Sequence, residues 1–160
     1  MDDPKPILAG RCACGDTTWT STSIPTHLDF CYCTQCQQVT GSPFGAWIGL
    51  KRSSITWEGP TAKYKISDIA TRSLCVQCGA TLTIQYDCYP DKKHIAAGTV
   101  VKGAVLIPKV GLHLFVKSKP VWYSIPDDGV PRAEEFDQEF MDVLKKYEES
   151  KPQSGLKLPK

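Results

Sequence analysis

The sequence predicts a mainly β domain followed by one C-terminal amphipathic helix, and three observations support this fold class. Short runs of β-branched and aromatic residues recur between positions 17 and 116, with turn-forming residues between them. Seven of the eight cysteines fall into closely spaced groups, a pattern typical of metal sites. Apolar residues from position 133 to position 147 repeat at three- and four-residue steps, which is the period of a helix with one buried face.

Six segments are predicted to be strands because β-branched and aromatic residues dominate them. Gly59-Pro60, Tyr89-Pro90-Asp91 and segment 124–129 are rich in turn-forming residues, and they predict connections within one domain, residues 1–130. The predicted strands are Thr17–Thr22, Ala46–Leu50, Ala62–Ile66, Leu82–Tyr86, His94–Ala97 and Leu112–Val116.

The helix is predicted over residues 131–150, where charged residues fill the positions between the apolar ones. We expect the apolar stripe to pack on the β domain, and self-association of the helix is the alternative. Segment 151–160 contains two prolines and a glycine without periodicity, which predicts a disordered tail. The stripe consists of Ala133, Phe136, Phe140, Val143, Leu144 and Tyr147.

Length and charge favour one domain whose partners are small molecules or proteins. A chain of 160 residues with 41% hydrophobic content can bury a core without disulfide bonds. The 19 basic and 17 acidic side chains form no basic run, so we expect neither nucleic acid nor a membrane as a partner. The N-terminal MDDPKPILAG has no basic start and no long apolar core, so we expect no secretory signal and a cytoplasmic protein with reduced thiols. The sequence does not predict an oligomeric state.

Two cysteine pairs predict one zinc site with four sulfur ligands. The C-x-C pair of Cys12 and Cys14 places two sulfurs on one face of an extended chain. The C-x-x-C pair of Cys75 and Cys78, followed by glycine, is typical of a turn that curls around a metal. Four thiolates close a tetrahedral shell, which predicts a structural role. A disulfide framework and a thioredoxin-like redox pair are the alternatives, and segment 80–86 disfavours the second because it alternates like a strand.

The segment CYCTQC predicts a second zinc site through Cys31, Cys33 and Cys36. Three protein ligands with a fourth position open are characteristic of catalytic zinc. A zinc ion held by three thiolates is a weak Lewis acid for hydrolysis, and it favours a thiol as its fourth ligand. The predicted chemistry is therefore the making or breaking of a carbon–sulfur bond near an electrophile such as an aldehyde. The cysteine count leaves open a closed, inert site completed by one of Cys88, His27, His94 and His113.

Four segments resemble the glutathione-dependent formaldehyde-activating enzyme (GFA) family, also called the centromere-protein-V/GFA domain. In chain order these segments are GRCACG, CYCTQCQQVTGSPFG, LCVQCGATL and GLHLFVKSKPVWY, and the resemblance spans residues 8–125. It implies layered antiparallel sheets built around zinc-ribbon-like cysteine sites. It also implies two zinc ions: a structural one bound by Cys12, Cys14, Cys75 and Cys78, and a catalytic one bound by Cys31, Cys33 and Cys36.

The same resemblance implies a carbon–sulfur lyase that forms or cleaves a thiol adduct of a small aldehyde. The thiol implied is glutathione, the aldehyde formaldehyde and the adduct S-(hydroxymethyl)glutathione. Family members often carry histidine where this chain has Tyr32, so a different small molecule, such as a specialised metabolite, is the first alternative substrate. A zinc-ribbon binding module without enzymatic activity is the second alternative.

Five further residues are candidates for substrate binding. Thr40, Gly41, Ser42 and Phe44 follow the three-cysteine segment closely, and we expect them to line a pocket beside it. A turn that enters the next strand is the alternative role for these four. His113 alternates with apolar neighbours, which leaves a polar site or solvent exposure, and exposure is the prediction.

Overall fold

Two β-sheets and two α-helices make up residues 4–151, the part of the chain that this computed structural model describes. The smaller sheet contains β1 (Leu8–Arg11), β2 (Thr18–Ser21), β5 (Ile55–Glu58) and β10 (Val100–Lys102). The larger sheet contains β3 (Leu28–Cys31), β4 (Gly45–Lys51), β6 (Thr61–Ser67), β7 (Ala70–Cys75), β8 (Thr81–Tyr86), β9 (Lys92–Ala96), β11 (Leu112–Leu114) and β12 (Arg132–Ala133). The helices are α1 (Thr34–Thr40) and α2 (Gln138–Ser150), and short 3-10 turns cover Arg52–Ser54, Ala97–Thr99, Ala104–Leu106 and Val116–Ser118.

The strand order is β10-β1-β2-β5 in the smaller sheet and β12-β11-β3-β4-β9-β8-β7-β6 in the larger one. Within the described residues the pairings are antiparallel, except that β11 runs parallel to both of its neighbours, β3 and β12. The mainly β fold class with layered sheets is therefore confirmed, and the C-terminal helix is present.

The main apolar core lies between the two sheets. Leu8 and Trp19 come from the smaller sheet, and Ile48, Leu50 and Ile95 come from the larger one. All five are at most 1% exposed. Burying each such side chain contributes about 1.5–3 kcal/mol to folding, so this contact holds the two layers together.

The opposite face of the larger sheet carries a second apolar cluster that includes two of the candidate ligands. Successive residues of a strand point to opposite faces, so Ile48 enters the main core while Trp47 points away from it. Trp47 and Ile84 pack there with Cys31 and Cys36. This face positions the site described below.

The strand predictions agree with the structure, and one helix was missed. Each of the six predicted strands overlaps an observed strand. Helix α1 was not predicted, because seven residues are too few to show a helical period. It begins after Cys33, whose sulfur accepts a hydrogen bond from the Cys36 N–H. It ends at Gly41, whose positive φ of 60° is a conformation that glycine adopts readily.

Helix α2 begins at Gln138, so the predicted start at residue 131 is wrong. Asp137 caps the helix by accepting a hydrogen bond from the Phe140 N–H at 2.8 Å. Arg132 and Ala133, within the predicted helix, instead form β12, which pairs in parallel with β11. Neither helix in the described part of the chain is long and apolar enough to cross a membrane. The predicted tail, 151–160, lies outside the described residues apart from Lys151.

Aromatic side chains at the start of α2 contact the larger sheet. The Phe136 and Phe140 rings stack with their centroids 4.0 Å apart. Phe140 meets Tyr86 of β8 edge-on at 4.9 Å, and Phe136 meets Phe115 at 4.8 Å. Aromatic pairs at these distances contribute about 0.5–1.5 kcal/mol each beyond the area that they bury.

Candidate metal centres and active site

The four cysteines of the predicted structural site lie together at a junction between the two sheets. Cys12 and Cys14 follow β1 of the smaller sheet, Cys75 ends β7 of the larger one, and Cys78 lies in the turn before β8. Their Sγ atoms are all within 4.8 Å of one another, with 3.4 Å between Cys12 and Cys14 and 3.8 Å between Cys14 and Cys75. A tetrahedral zinc ion with Zn–S bonds of about 2.3 Å needs sulfurs about 3.8 Å apart. The donor set therefore fits zinc.

Backbone groups shape this four-sulfur cluster. The Thr17 N–H donates to Cys12 Sγ at 3.2 Å, which stabilises a thiolate at that position. Gly79, at a φ of 71°, donates its N–H to the Cys75 carbonyl and closes the turn that carries Cys78. All eight cysteines lie within residues 4–151 and all are free thiols, so the alternative of a disulfide framework is wrong.

Cys31, Cys33 and Cys36 form a separate three-sulfur cluster on the other face of the larger sheet. Cys31 ends β3, Cys33 is the extended residue that caps α1, and Cys36 lies in the first turn of that helix. The three Sγ atoms are within 4.8 Å of one another. Within residues 4–151, no fourth cysteine, histidine or acidic side chain joins them at that distance. The closed site that Cys88 or a histidine would complete is therefore not formed in this part of the chain.

The three sulfurs are too close to carry three negative charges without a cation. The pKa of Cys33 falls to about 3 because the Cys31 and Cys36 thiols donate hydrogen bonds to its sulfur. The pKa of Cys31 rises because it is the donor in that pair and is buried among apolar side chains. A divalent cation would remove this conflict by stabilising all three thiolates together, so this donor set also fits a soft metal such as zinc.

Arg72, on β7, is a buried cation beside the three-sulfur cluster that the sequence analysis missed. It is only 5% exposed, and its Nη2 donates to Cys36 Sγ at 3.7 Å. No carboxylate of the described residues lies within 4 Å of it, and its buried Nη1 has no hydrogen-bond partner among them. Burying an unpaired cation costs several kcal/mol, so a nearby negative charge is required. Three thiolates on a divalent cation, with a net charge of about −1, would supply that charge.

Two cavities adjoin the three-sulfur cluster. The larger, about 350 Å³, is lined by Arg72, Cys31 and Cys33, and we call it the arginine cavity. The smaller, about 260 Å³, reaches Cys31 from beneath the start of α2 and is called the helix chamber. Tyr86 and Phe136 line both cavities. The larger cavity is also lined by Phe115 and Lys117.

The predicted substrate residues after the three-cysteine segment lie elsewhere. Thr40, Ser42 and Phe44 line a third cavity of about 460 Å³, which contains Cys78 but none of the three-sulfur cluster. Gly41 is exposed at the end of α1. Helix α1 lies between Cys33 and these positions, and because its seven residues span about 10 Å, its far end borders a different cavity. Their role in binding substrate at that cluster remains a prediction without geometric support.

His113 is buried, so its predicted exposure is wrong. Its Nδ1 lies 3.0 Å from the Tyr32 hydroxyl, and its Nε2 lies 3.1 Å from Asp128 Oδ2. The sequence could not show that the connection before β12 supplies this carboxylate. Tyr32 stands between two of the cluster cysteines, so the network anchors the backbone from which their sulfurs project. Gln37 also donates a hydrogen bond to the Tyr32 carbonyl.

Comparisons with known proteins agree with this geometry. A family model described as glutathione-dependent formaldehyde-activating enzyme matches residues 7–118, a range that contains both cysteine clusters. An uncharacterized lyase of Schizosaccharomyces pombe is 30% identical over 81 residues, which cover 51% of this chain and only 59% of that relative. A crystal structure of a Rhodobacter sphaeroides protein aligns with a TM-score of 0.50 at 16% identity, over 78% of this chain and 98% of that one, and so shares the fold. By the match over residues 7–118, the chain belongs to the glutathione-dependent formaldehyde-activating enzyme family.

Proposed function

We propose that this protein is a zinc-dependent carbon–sulfur lyase that forms or cleaves the adduct of a thiol with a small aldehyde. The observation that carries the proposal is the three-sulfur cluster, which adjoins two cavities and has no fourth protein ligand within residues 4–151. The family description and the name of the yeast relative support the reaction class. We propose glutathione as the thiol, one structural and one catalytic zinc ion, and a cytoplasmic location where eight free thiols stay reduced.

The residues around the cluster suit an addition reaction. A zinc ion held by Cys31, Cys33 and Cys36 would offer one open position to the substrate sulfur and would lower the pKa of that thiol. Arg72 offsets the negative charge of the cluster, so that another anionic sulfur can approach. In the forward direction a sulfur–carbon bond forms, the carbonyl π bond opens, and the thiol proton ends on the new hydroxyl oxygen.

Tyr86 lines both cavities, and we propose its hydroxyl as the donor to the substrate. Burial raises its pKa, so the hydroxyl keeps its proton at neutral pH. The proposed role of this hydroxyl is to donate a hydrogen bond to the carbonyl oxygen as negative charge develops there. The Phe115 and Phe136 rings give the arginine cavity an apolar wall.

Metal analysis with zinc-edge X-ray absorption tests the proposal. Reductant-purified protein is expected to contain two zinc ions per chain. Sites with four and three cysteines give an average of about 3.5 sulfurs per zinc, and added glutathione should raise it to about 4. The same samples should accelerate the exchange between ¹³C-formaldehyde and its glutathione adduct, measured by NMR. An unchanged sulfur shell together with uncatalysed exchange would contradict the proposal.

Replacing Arg72 by glutamine is expected to weaken thiol binding. The variant Arg72→Gln removes a buried positive charge beside the cluster and leaves a polar, neutral side chain that is too short to reach Cys36 as Nη2 does. In a partly buried site, the attraction between this charge and a bound thiolate strengthens binding about ten- to a hundredfold. KM for glutathione should therefore rise by that factor in the variant. Titration calorimetry should show weaker binding of glutathione, and circular dichroism should show that the variant is folded.

Lys117→Gln provides the matched control for Arg72→Gln. Lys117 lines the same cavity, but it is 49% exposed and pairs with Glu135. Water and salt screen an exposed charge, so the change in KM should stay within about threefold. Equal effects of the two substitutions would show that Arg72 acts only through general surface charge.

A further inference from the structure

The helix chamber has aromatic walls, and α2 and the residue before its cap supply part of them. Tyr86 and Tyr89 come from β8 and the turn that follows, whereas Phe136 and Phe140 come from the start of the helical segment. The family match ends at residue 118, so two of these four rings lie outside the matched region. The chamber is thus partly built by a segment that the family model does not include.

Carboxyl groups dominate the polar part of the chamber. Asp29, Asp137 and Glu139 line it, together with Lys92 and the histidines His27 and His94. The Lys92 ammonium already lies over the Tyr89 ring, 4.7 Å from its centroid. Within residues 4–151, Asp29 lies 3.7 Å from His27 Nε2, whereas Asp137 and Glu139 pair with no lysine, arginine or histidine within 4 Å. Two carboxyl groups without an ion-pair partner, beside aromatic faces, attract a cation.

His94 adds an unused hydrogen-bonding position to the same wall. Its Nδ1 atom is buried and has no hydrogen-bond partner among the described residues. Burial lowers the pKa of His94 to about 3, so the ring is neutral at physiological pH. A neutral ring with the proton on Nε2 presents Nδ1 as an acceptor for an N–H group. The buried nitrogen is an observation independent of the carboxyl groups.

The volume of the chamber argues against formaldehyde as its full occupant. One water molecule needs about 10–15 Å³ of cavity volume, so the two heavy atoms of formaldehyde need about 20–30 Å³. That is less than a quarter of the 260 Å³ present. The remaining space fits an apolar or aromatic group of the size of a phenyl ring.

From these features we infer that the helix chamber binds a protonated amine on an aromatic body, and that the electrophile of the reaction carries such a group. The ammonium group would contact the carboxylates of Asp137 and Glu139, and the body would lie between the aromatic rings. The reactive carbon would then face Cys31, which borders the chamber. The reaction at Cys31 rests on the proposed function, whereas amine binding rests on the chamber alone.

Titration calorimetry with three related probes tests this inference on the zinc-loaded full-length protein. 2-Phenylethylamine, 2-phenylethanol and phenylacetate share an aromatic body and differ in the charge of the head group. We expect the amine to bind at least about tenfold more tightly than the alcohol, and phenylacetate to bind most weakly. Equal binding of amine and alcohol would overturn the inference, because the carboxyl groups would then contribute nothing.

Substitutions on α2 locate the binding. Glu139→Gln and Asp137→Asn each remove one charge, and asparagine still caps the helix. Each is expected to weaken amine binding about threefold or more. Glu149→Gln makes the same charge change on an exposed position of the same helix that does not line the chamber, and should leave binding within twofold. Equal losses from Glu139→Gln and Glu149→Gln would overturn the inference.

The two proposals fail separately in these experiments. Amine binding with an unchanged zinc sulfur shell and uncatalysed exchange would overturn the lyase proposal and the assigned electrophile, and would keep the chamber as a site for an aromatic amine. Catalysed exchange of formaldehyde with glutathione, without preferential amine binding, would overturn the inference about the chamber and keep the lyase proposal.

Discussion

Replacing Cys78 by serine is expected to unfold the protein, because the four-sulfur cluster joins the two sheets. Cys78 shares that cluster with Cys12, which follows β1, and with Cys75, which ends β7. Binding of a structural zinc ion contributes about 10–16 kcal/mol in small zinc domains. The whole stability of a domain is about 5–15 kcal/mol, so losing even part of the metal energy removes most of it. Cys12→Ser is expected to behave in the same way.

Thermal unfolding by circular dichroism, with zinc content measured in parallel, checks this expectation. The matched control is Cys88→Ser, which changes a buried cysteine that belongs to neither cluster. A buried hydroxyl costs about 1–3 kcal/mol, so this control should melt cooperatively at a lower temperature with both zinc ions bound. A Cys78→Ser protein that also melts cooperatively and retains two zinc ions would refute a structural role for the cluster.

Local spacing was sufficient to identify each cysteine group, whereas the contact of Cys12 and Cys14 with Cys75 and Cys78 was predicted only because it leaves the three-cysteine segment intact. The C-x-C and C-x-x-C spacings bring sulfurs together through the geometry of a few consecutive residues, and the structure brings the same groups together. In the C-x-C pair of Cys31 and Cys33, for example, the backbone at Cys33 is extended although the strand ends at Cys31, so the local geometry that the spacing predicts is present. Strand positions were predictable for a similar reason, since β-branched and aromatic residues pack well on a sheet wherever it lies in the chain.

Long-range contacts explain what the sequence did not reveal. Arg72 meets Cys36 across 36 positions of the chain, and a single arginine in a strand gives no sign of such a contact. His113 is buried because Asp128, beyond its own strand, supplies its partner. The helix chamber likewise needs α2 to meet β8, which no local pattern encodes. These long-range contacts determine which groups surround the sulfurs, whereas the cysteine spacing predicts only the metal ligands.

Replacing Cys33 by serine is expected to separate metal binding from folding. Cys33 caps α1 through its side chain, and serine is one of the best residues for that role, so the helix should persist. A serine hydroxyl is a poor ligand at neutral pH because it stays protonated, which leaves only Cys31 and Cys36 to hold the metal. The variant should therefore fold, bind one zinc ion instead of two, and lose activity by a factor of more than about one hundred.

The remaining zinc ion identifies which centre was lost. After Cys33→Ser only the four-sulfur cluster should be occupied, so zinc-edge absorption should report about 4 sulfurs per zinc before any thiol is added. Added glutathione should then change nothing, unlike in the unmodified protein. Cys88→Ser serves again as the control, with both ions and the response to glutathione retained. A site with two cysteine ligands could not hold the metal as tightly as one with three. Full zinc content and activity in Cys33→Ser would therefore show that Cys33 is not a ligand and would exclude the three-sulfur cluster from the reaction.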